Sequence, residues 1–322
     1  MTAAWSFAAG PEIVSLEKIW DQGSHNAFTD LIRFQNQWFC TFREADDHVG
    51  GDGKIRVLVS RDGSAWQSAA LLEEKDIDLR DPKLSVTPDG RLMVVAGGSV
   101  YLGTKDLKGR QPRVAFSKDG RTWTKPRKIL GNGDWLWRVT WHGGRAYGVS
   151  YNTRPQPGAV MADEWNVTLF ESKDGVDWRQ VTVLNVPGRP NETTLRFTRD
   201  GEMLALVRRE ADDKIAWLGS SLAPYREWAW QPAGYQFGGP NFILLDDGSM
   251  VAGGRLYGKE RGSNRTAMGT LTRKGYTPLL TLPSSGDSSY PGFVWHDGLL
   301  WMSYYSTHEG KTSIYLAKIR LR

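Results

Sequence analysis

The chain has one cysteine in 322 residues. Cys40 alone can form neither an internal disulfide nor a cysteine metal cluster. Its place in the apolar run "WFCTF" marks it as a buried small hydrophobe. No run of 18 apolar residues occurs, so no membrane-spanning helix is expected. The first residues, "MTAAWSFAAG", lack a basic segment followed by a long apolar one and do not read as a signal peptide. The chain is therefore expected to be soluble: cytoplasmic as it stands, secreted or periplasmic if a leader precedes it. Lys and Arg number 41 against 36 Asp and Glu, a net charge of +5. No dense basic run of the nucleic-acid type accompanies that excess, and an anionic small ligand fits it as well. The five histidines are scattered without metal-ligand spacing. No phosphate loop, dinucleotide fingerprint or serine-nucleophile elbow is present. No metal, cofactor or nucleic-acid partner is expected, and no helical pattern of useful length is found.

What the chain does have is glycine, tryptophan and repetition. It holds 36 Gly and 15 Trp, a mix that suits a β-rich fold with tight turns and aromatic packing. "SRDGSAW" (60–66), "SKDGRTW" (117–123) and "SKDGVDW" (172–178) recur at steps of 57 and 55 residues. Shorter relatives sit inside strand–turn–strand units: "KLSVTPDGRLMVVAG", "TLRFTRDGEMLALVR", "FILLDDGSMVAGGR" and "GFVWHDGLLWMSYY". Asp-Gly supplies the positive φ that two-residue hairpin turns need. With two looser turns, at "QNQ" and "HGG", the units begin near residues 28, 82, 138, 193, 241 and 291. Six units of about 50 residues with several short strands each read as an all-β fold, a six-bladed β-propeller occupying residues 1–322 as one domain. The first strand, "EIVSLEKI", and the last, "TSIYLAKIRL", are expected to share a blade and close the ring. The bends themselves read as structural: the Asp accepts turn N–H bonds, and Trp66, Trp123 and Trp178 pack between blades.

In a propeller, inner strands begin and second strands end at the same face. Counting seven residues on from each turn glycine gives Arg208, Arg255, Gly97, Tyr151 and Tyr305, with Arg43 at the aligned end in the first blade. Three arginines at one repeat position, facing one channel, point to recognition of a carboxylate. Counting back reaches polar residues at the starts of apolar strands: Arg80, Asp81, Asn191, Glu192, Asn241 and Tyr290. A carboxylate beside a phenol can take its proton and make tyrosine a nucleophile, which singles out Glu192 and Tyr290. Trp135, Trp137, Tyr151 and Tyr305 are candidates to line a sugar pocket.

These segments resemble the sialidase (neuraminidase) superfamily of six-bladed propellers. The three Ser-x-Asp-Gly-x-x-Trp bends are similar to that family's Asp boxes (BNR repeats). "NETTLRFTRDGEMLALVRRE" (191–210) is similar to its segment carrying a base and a carboxylate-binding arginine, and "DSSYPGFVWHDG" to the one carrying its nucleophilic tyrosine. The resemblance implies Glu192 as base, Tyr290 as nucleophile and Arg208 as one of three arginines. The fifth-blade arginine is Arg255, Arg261 or Arg265, with repeat symmetry favouring Arg255. The first blade departs from the pattern. "HNAFTDL" (25–31) stands where the family has Arg-Ile-Pro, leaving Arg43 to substitute. The family's acid/base aspartate falls in the loop "READDHVGGDGK", where Asp46, Asp47 and His48 are all available.

The implied activity is an exo-glycoside hydrolase of carbohydrate metabolism that cleaves a terminal acidic sugar, sialic acid or a relative, with retention. Two alternatives stay open. One is a polysaccharide lyase or another exo-glycosidase on the same scaffold, using His48, His25 or Tyr290 for proton transfer. The other is a non-catalytic glycan-binding propeller.

Overall fold

A computed structural model describes residues 10–50, 52–152, 165–260 and 262–321. It is all-β among these residues: six four-stranded antiparallel sheets stand in a ring as the blades of a propeller. Blades 1 to 5 span residues 25–72, 78–128, 135–184, 190–232 and 238–281. Blade 6 takes its three inner strands from residues 288–320 and its outermost from Glu12–Trp20, which pairs with Ser313–Arg320. The two ends of the chain thus lock the ring as expected, and closure removes the open sheet edges that an unclosed row of blades would present.

Apolar side chains fill the seams. Phe39, Val57 and Leu58 of blade 1 and Leu84, Val94 and Ala115 of blade 2 are all almost wholly buried. The three Trp bends sit on these seams. In each, the Asp oxygen accepts two N–H bonds, as Asp119 does from Arg121 and Thr122 at 2.8 and 2.7 Å, and the Trp Nε1 donates to the bend glycine carbonyl. The glycines need their hydrogen. Gly63, Gly120 and Gly175 have φ of 76°, 71° and 77°, and a Cβ there would run into Trp301, Phe39 and Met93, each on the second strand of the preceding blade. The bends are blade-to-blade rivets. Cys40 is buried, as its neighbours implied.

The inner strands begin at His25, Asp78, Trp135, Pro190, Gly238 and Ser288, three or four residues before the apolar starts read from sequence. The reason is a bulge repeated in all six. In each, two residues of the inner strand oppose one of the second strand: 28–29, 81–82, 137–138, 191–192, 239–240 and 290–291. A bulge leaves the extra residue unpaired and bends the strand. Phe28, Asp81, Gly239 and Tyr290 take φ of 66°, 50°, 63° and 54° there. The bulges themselves carry the polar side chains Asp81, Glu192 and Tyr290 that the sequence places at the starts of apolar strands.

Candidate active site

The bulges of blades 4, 5 and 6 meet at one cavity. Tyr290, 8% exposed, packs its ring against Phe28, Trp137 and Tyr305 at centroid distances of 5.0, 5.4 and 5.9 Å. Its Oη donates to Glu192 Oε1 at 2.6 Å. Glu192 Oε2 accepts from Arg208 Nη1 at 2.9 Å and from the Gly239 N–H at 2.8 Å. Gly239 lies so close that a Cβ would meet the Tyr290 ring at 2.6 Å.

Burial opposes the charge on Glu192, but Arg208 and these hydrogen bonds outweigh it and hold the carboxyl below the usual range. Burial and the Glu192 and Asp81 charges push the Tyr290 phenol well above its ordinary value. At rest the pair is therefore a phenol donating to a carboxylate. Lys83 lies beneath it, its Nζ 4.9 Å from the Trp137 ring centre and 5.6 Å from that of Tyr290. Burial, with the Arg138 charge, brings the Lys83 amine down to about 8.

Of the counted arginines, two reach this cavity. Arg208 bridges Glu192 and Glu210. Arg255 donates to the Ser288 carbonyl, to Tyr305 Oη at 2.9 Å and to Asp287 Oδ1 at 3.2 Å. Arg265 is exposed and bonds loop carbonyls, while Arg261 lies outside the described residues. The seven-residue count slips in two blades. By strand register the position of Arg43, Gly97, Arg255 and Tyr305 is held by Ser150 and Arg209 in blades 3 and 4. Arg208 instead opposes its bulge, which is why it meets Glu192, the second bulge residue. Half-buried Tyr151 pairs with Trp135 and stacks on Arg110. Gly97 carries no side chain because the Trp135 ring covers it.

Two expectations are corrected. Arg43 is fully buried, with Nε and Nη2 on Asp78 at 2.6 and 3.0 Å and Nη1 on the Asp47 carbonyl at 2.7 Å. Its fork is spent inside the protein, so it is a strut and not a free carboxylate grip. The Asp47 carboxylate turns to solvent and pairs with Lys105 at 2.6 Å, away from the cavity. Arg80 stays at the cavity wall, donating through Nη1 to Asp78 and the His48 carbonyl, with its guanidinium over Phe28. Asp81 is 8% exposed and its Oδ1 has no hydrogen-bond partner. Burial pushes its carboxyl up despite Arg80 and Lys83 nearby.

The residue that sequence reasoning missed is Asp287. Its Oδ1 accepts from Tyr305 at 2.8 Å as well as from Arg255, and its Oδ2 meets His48 Nδ1 at 2.7 Å and His25 Nε2 at 3.1 Å. Burial disfavours its charge, but the two histidines and Arg255 keep it strongly ionised. Two of the scattered histidines are thus neighbours, and their ligand atoms and that of Asp287 lie within 4.8 Å of one another. A signal was available: His25, Asp78 and Asp287 each stand three residues before the bulge residue of their blade.

No family model matches the sequence, and no curated protein matches it. Solved structures match over nearly the whole chain. A protein of unknown function from Dyadobacter fermentans gives a TM-score of 0.84 at 18% identity, covering 98% of this chain and 100% of that one. A Trypanosoma rangeli sialidase mutant displaying trans-sialidase activity gives 0.72 at 13% identity, covering 98% of this chain and 60% of the other. An α-L-arabinofuranosidase of Fusarium graminearum, complexed with an iminosugar inhibitor, gives 0.71 at 14% identity, covering 96% and 98%. These likenesses establish the propeller fold that the chain shares with known glycosidases, and this chain spans less than two thirds of the trypanosomal one.

Proposed function

We propose that the protein is a retaining exo-glycoside hydrolase in which Tyr290 is the nucleophile and Glu192 its base. The observation that carries this reading is the 2.6 Å bond from the phenol to a carboxylate whose other oxygen is held by Arg208 and the Gly239 amide. Glu192 is charged and able to accept a proton, while the phenol is too weak an acid to ionise alone. The proton therefore passes to Glu192 as Tyr290 Oη bonds to the anomeric carbon. The bond from that carbon to the leaving oxygen breaks with its electron pair, and the leaving oxygen takes a proton from the blade-1 side of the cavity. Water then attacks the anomeric carbon and gives a proton back to the blade-1 side of the cavity, the bond to Tyr290 breaks with its electron pair on Oη, and the phenol recovers its proton from Glu192. The rate falls at low pH, as Glu192 protonates and loses its function as base.

A neutral nucleophile suits a sugar whose anomeric carbon carries a carboxylate, because a carboxylate nucleophile would repel it. Arg208, Arg255 and Arg80 are the cations available to such a substrate. A neutral terminal sugar is the second reading. It is favoured by the pairing of Arg208 with Glu192 and Glu210, of Arg255 with Asp287 and of Arg80 with Asp78, which leaves little uncompensated positive charge.

The test is a screen of aryl glycosides of sialic, ulosonic and uronic acids and of arabinofuranose. Trapping with the matching fluorinated sugar and peptide mass spectrometry follows. A glycosyl adduct on Tyr290 supports the hydrolase. Binding without turnover on any of these sugars supports a glycan-binding propeller, and an unsaturated uronic product supports a lyase.

A further inference from the structure

We infer that His48, held by Asp287, is the acid/base group that protonates the leaving oxygen and later deprotonates the attacking water. This inference rests on the hydrolase reading and names the residue it leaves open.

The loop after the second strand of blade 1 offers Asp46, Asp47 and His48, and the structure separates them: Asp46 is exposed. The Asp47 carboxylate is taken outward by Lys105. The His48 ring turns inward, edge-on to Phe28 at 5.3 Å, and Phe28 also touches Tyr290 at 5.0 Å. His48 therefore stands one ring away from the nucleophile, and its side chain is 44% exposed, as a group that meets a departing alcohol must be.

The tautomer follows from charge. An ionised carboxylate only accepts hydrogen bonds. Asp287 is ionised, so His48 directs Nδ1–H to Asp287 Oδ2 and His25 directs Nε2–H to the same oxygen. Among the described residues, the ring hydrogen bonds of His48 are made by Nδ1. Nε2 is left to carry the exchangeable proton. The imidazolium gives Nε2–H to the leaving oxygen and becomes the neutral Nδ1–H ring without losing its bond to Asp287. Nε2 then takes a proton from water. This is the logic by which a buried carboxylate orients a catalytic histidine.

Asp287 is itself fixed. Tyr305 and Arg255 donate to Oδ1, so the carboxylate cannot rotate away from His48. His25 is the second brace, since its Nδ1 is buried without a partner and has no route to substrate. The other charged groups near His48 are Arg80, on its carbonyl, Asp47, on its backbone N–H, and Asp81 across the wall.

Two imidazoles and a carboxylate this close are also a metal donor set. Two observations favour proton transfer. A metal-bound imidazole normally gives its other N–H to an acceptor, and the buried Nδ1 of His25 has none. Arg255 also already compensates Asp287, so a cation would be added beside a guanidinium.

The experiment compares two ketosides of N-acetylneuraminic acid, one with a 4-nitrophenyl and one with a methyl leaving group. In His48→Ala the inference expects kcat/KM on the methyl ketoside to fall by about 10²–10⁴, with a far smaller loss on the nitrophenyl ketoside. The alkaline limb of the pH profile should disappear. Asp287→Asn should act on kcat more than on KM, because it removes the charged oxygen that holds the His48 ring. Equal losses on both leaving groups, with the alkaline limb intact, overturn the inference. Stoichiometric zinc binding by calorimetry, lost in His48→Ala and needed for turnover after chelation, overturns it in favour of a metal. Melting temperatures verify that the variants are folded. If the fluorinated sugar labels Tyr290 while His48→Ala behaves as wild type, only this inference fails. If Tyr290 is never labelled and no glycoside of the screen turns over, the hydrolase reading itself falls, and this inference with it.

Discussion

The same ion pair occurs at two blade junctions with opposite consequences. Arg43 ends the second strand of blade 1 and is received by Asp78 at the entry of blade 2. Arg255 ends the second strand of blade 5 and is received by Asp287 just before the inner strand of blade 6. The repeat places both arginines at one register position, opposite Ala27 and Gly238. At the first junction both side chains are 0% exposed, and Asp78 gives both oxygens to arginine. At the second, Asp287 is 26% exposed and commits one oxygen to Arg255 and Tyr305, leaving the other to two histidines. A sealed pair, with its donors used up, can only hold blades together. A pair with an unshared oxygen at the cavity wall can orient a group that does chemistry. Burial and the count of free lone pairs, not residue type, separate a strut from a site.

The largest effect is expected on the open side. Tyr290→Phe keeps the ring that Phe28 and Trp137 pack on and removes only the hydroxyl. Turnover should fall by about 10³-fold or more, while ligand affinity by calorimetry and the melting temperature stay close to wild type. The sealed side should give the reverse. Arg43→Met leaves the buried Asp78 carboxylate with Arg80 alone, and breaking such a buried pair costs about 3–5 kcal/mol. Urea unfolding should show that loss, while KM of the remaining folded protein is unchanged. A raised KM with little loss of stability would return Arg43 to the substrate site.

Two glycines carry the contrast to backbone positions. Both have positive φ, where an L side chain costs about 1–3 kcal/mol, and at both a Cβ strikes a ring: Tyr290 at Gly239 and Phe39 at Gly120. Gly239→Ala should lower stability and, on the proposed mechanism, also kcat, because it displaces the Tyr290 ring and the amide that holds Glu192. Gly120→Ala should lower stability alone. The smallest effect is expected at a bend. Asp174→Ala removes the acceptor of the Val176 and Asp177 N–H groups. It should cost about 1 kcal/mol in denaturant unfolding, with specific activity unaltered.

Much of this was legible in the chain. Asp-Gly turns and Trp bends are written in local chemistry, so the six units, the ring closure and the seam role of the bends could be read from spacing. Glu192 and Tyr290 could be singled out because they are polar residues at the starts of otherwise apolar strands. The rest was not, and each failure has a cause. Arg43 was assigned to the cavity because counting cannot see Asp78, 35 residues away. Arg208 and Tyr151 were aligned one residue off because the spacing from turn glycine to bulge is one residue longer in blade 4 and one shorter in blade 3, which only strand pairing reveals. Asp287 went unnoticed inside a quoted segment because its partners His48 and His25 are 239 and 262 positions away.

The amino-acid order by itself determined the propeller and the identity of the pair on its axis, since turn geometry and strand alternation act over a few residues. Only the closed ring decided which arginine is sealed, which carboxylate keeps a free oxygen and which histidine faces the cavity. Those properties depend on burial and on partners from other blades, and neither exists until the first and last strands have met.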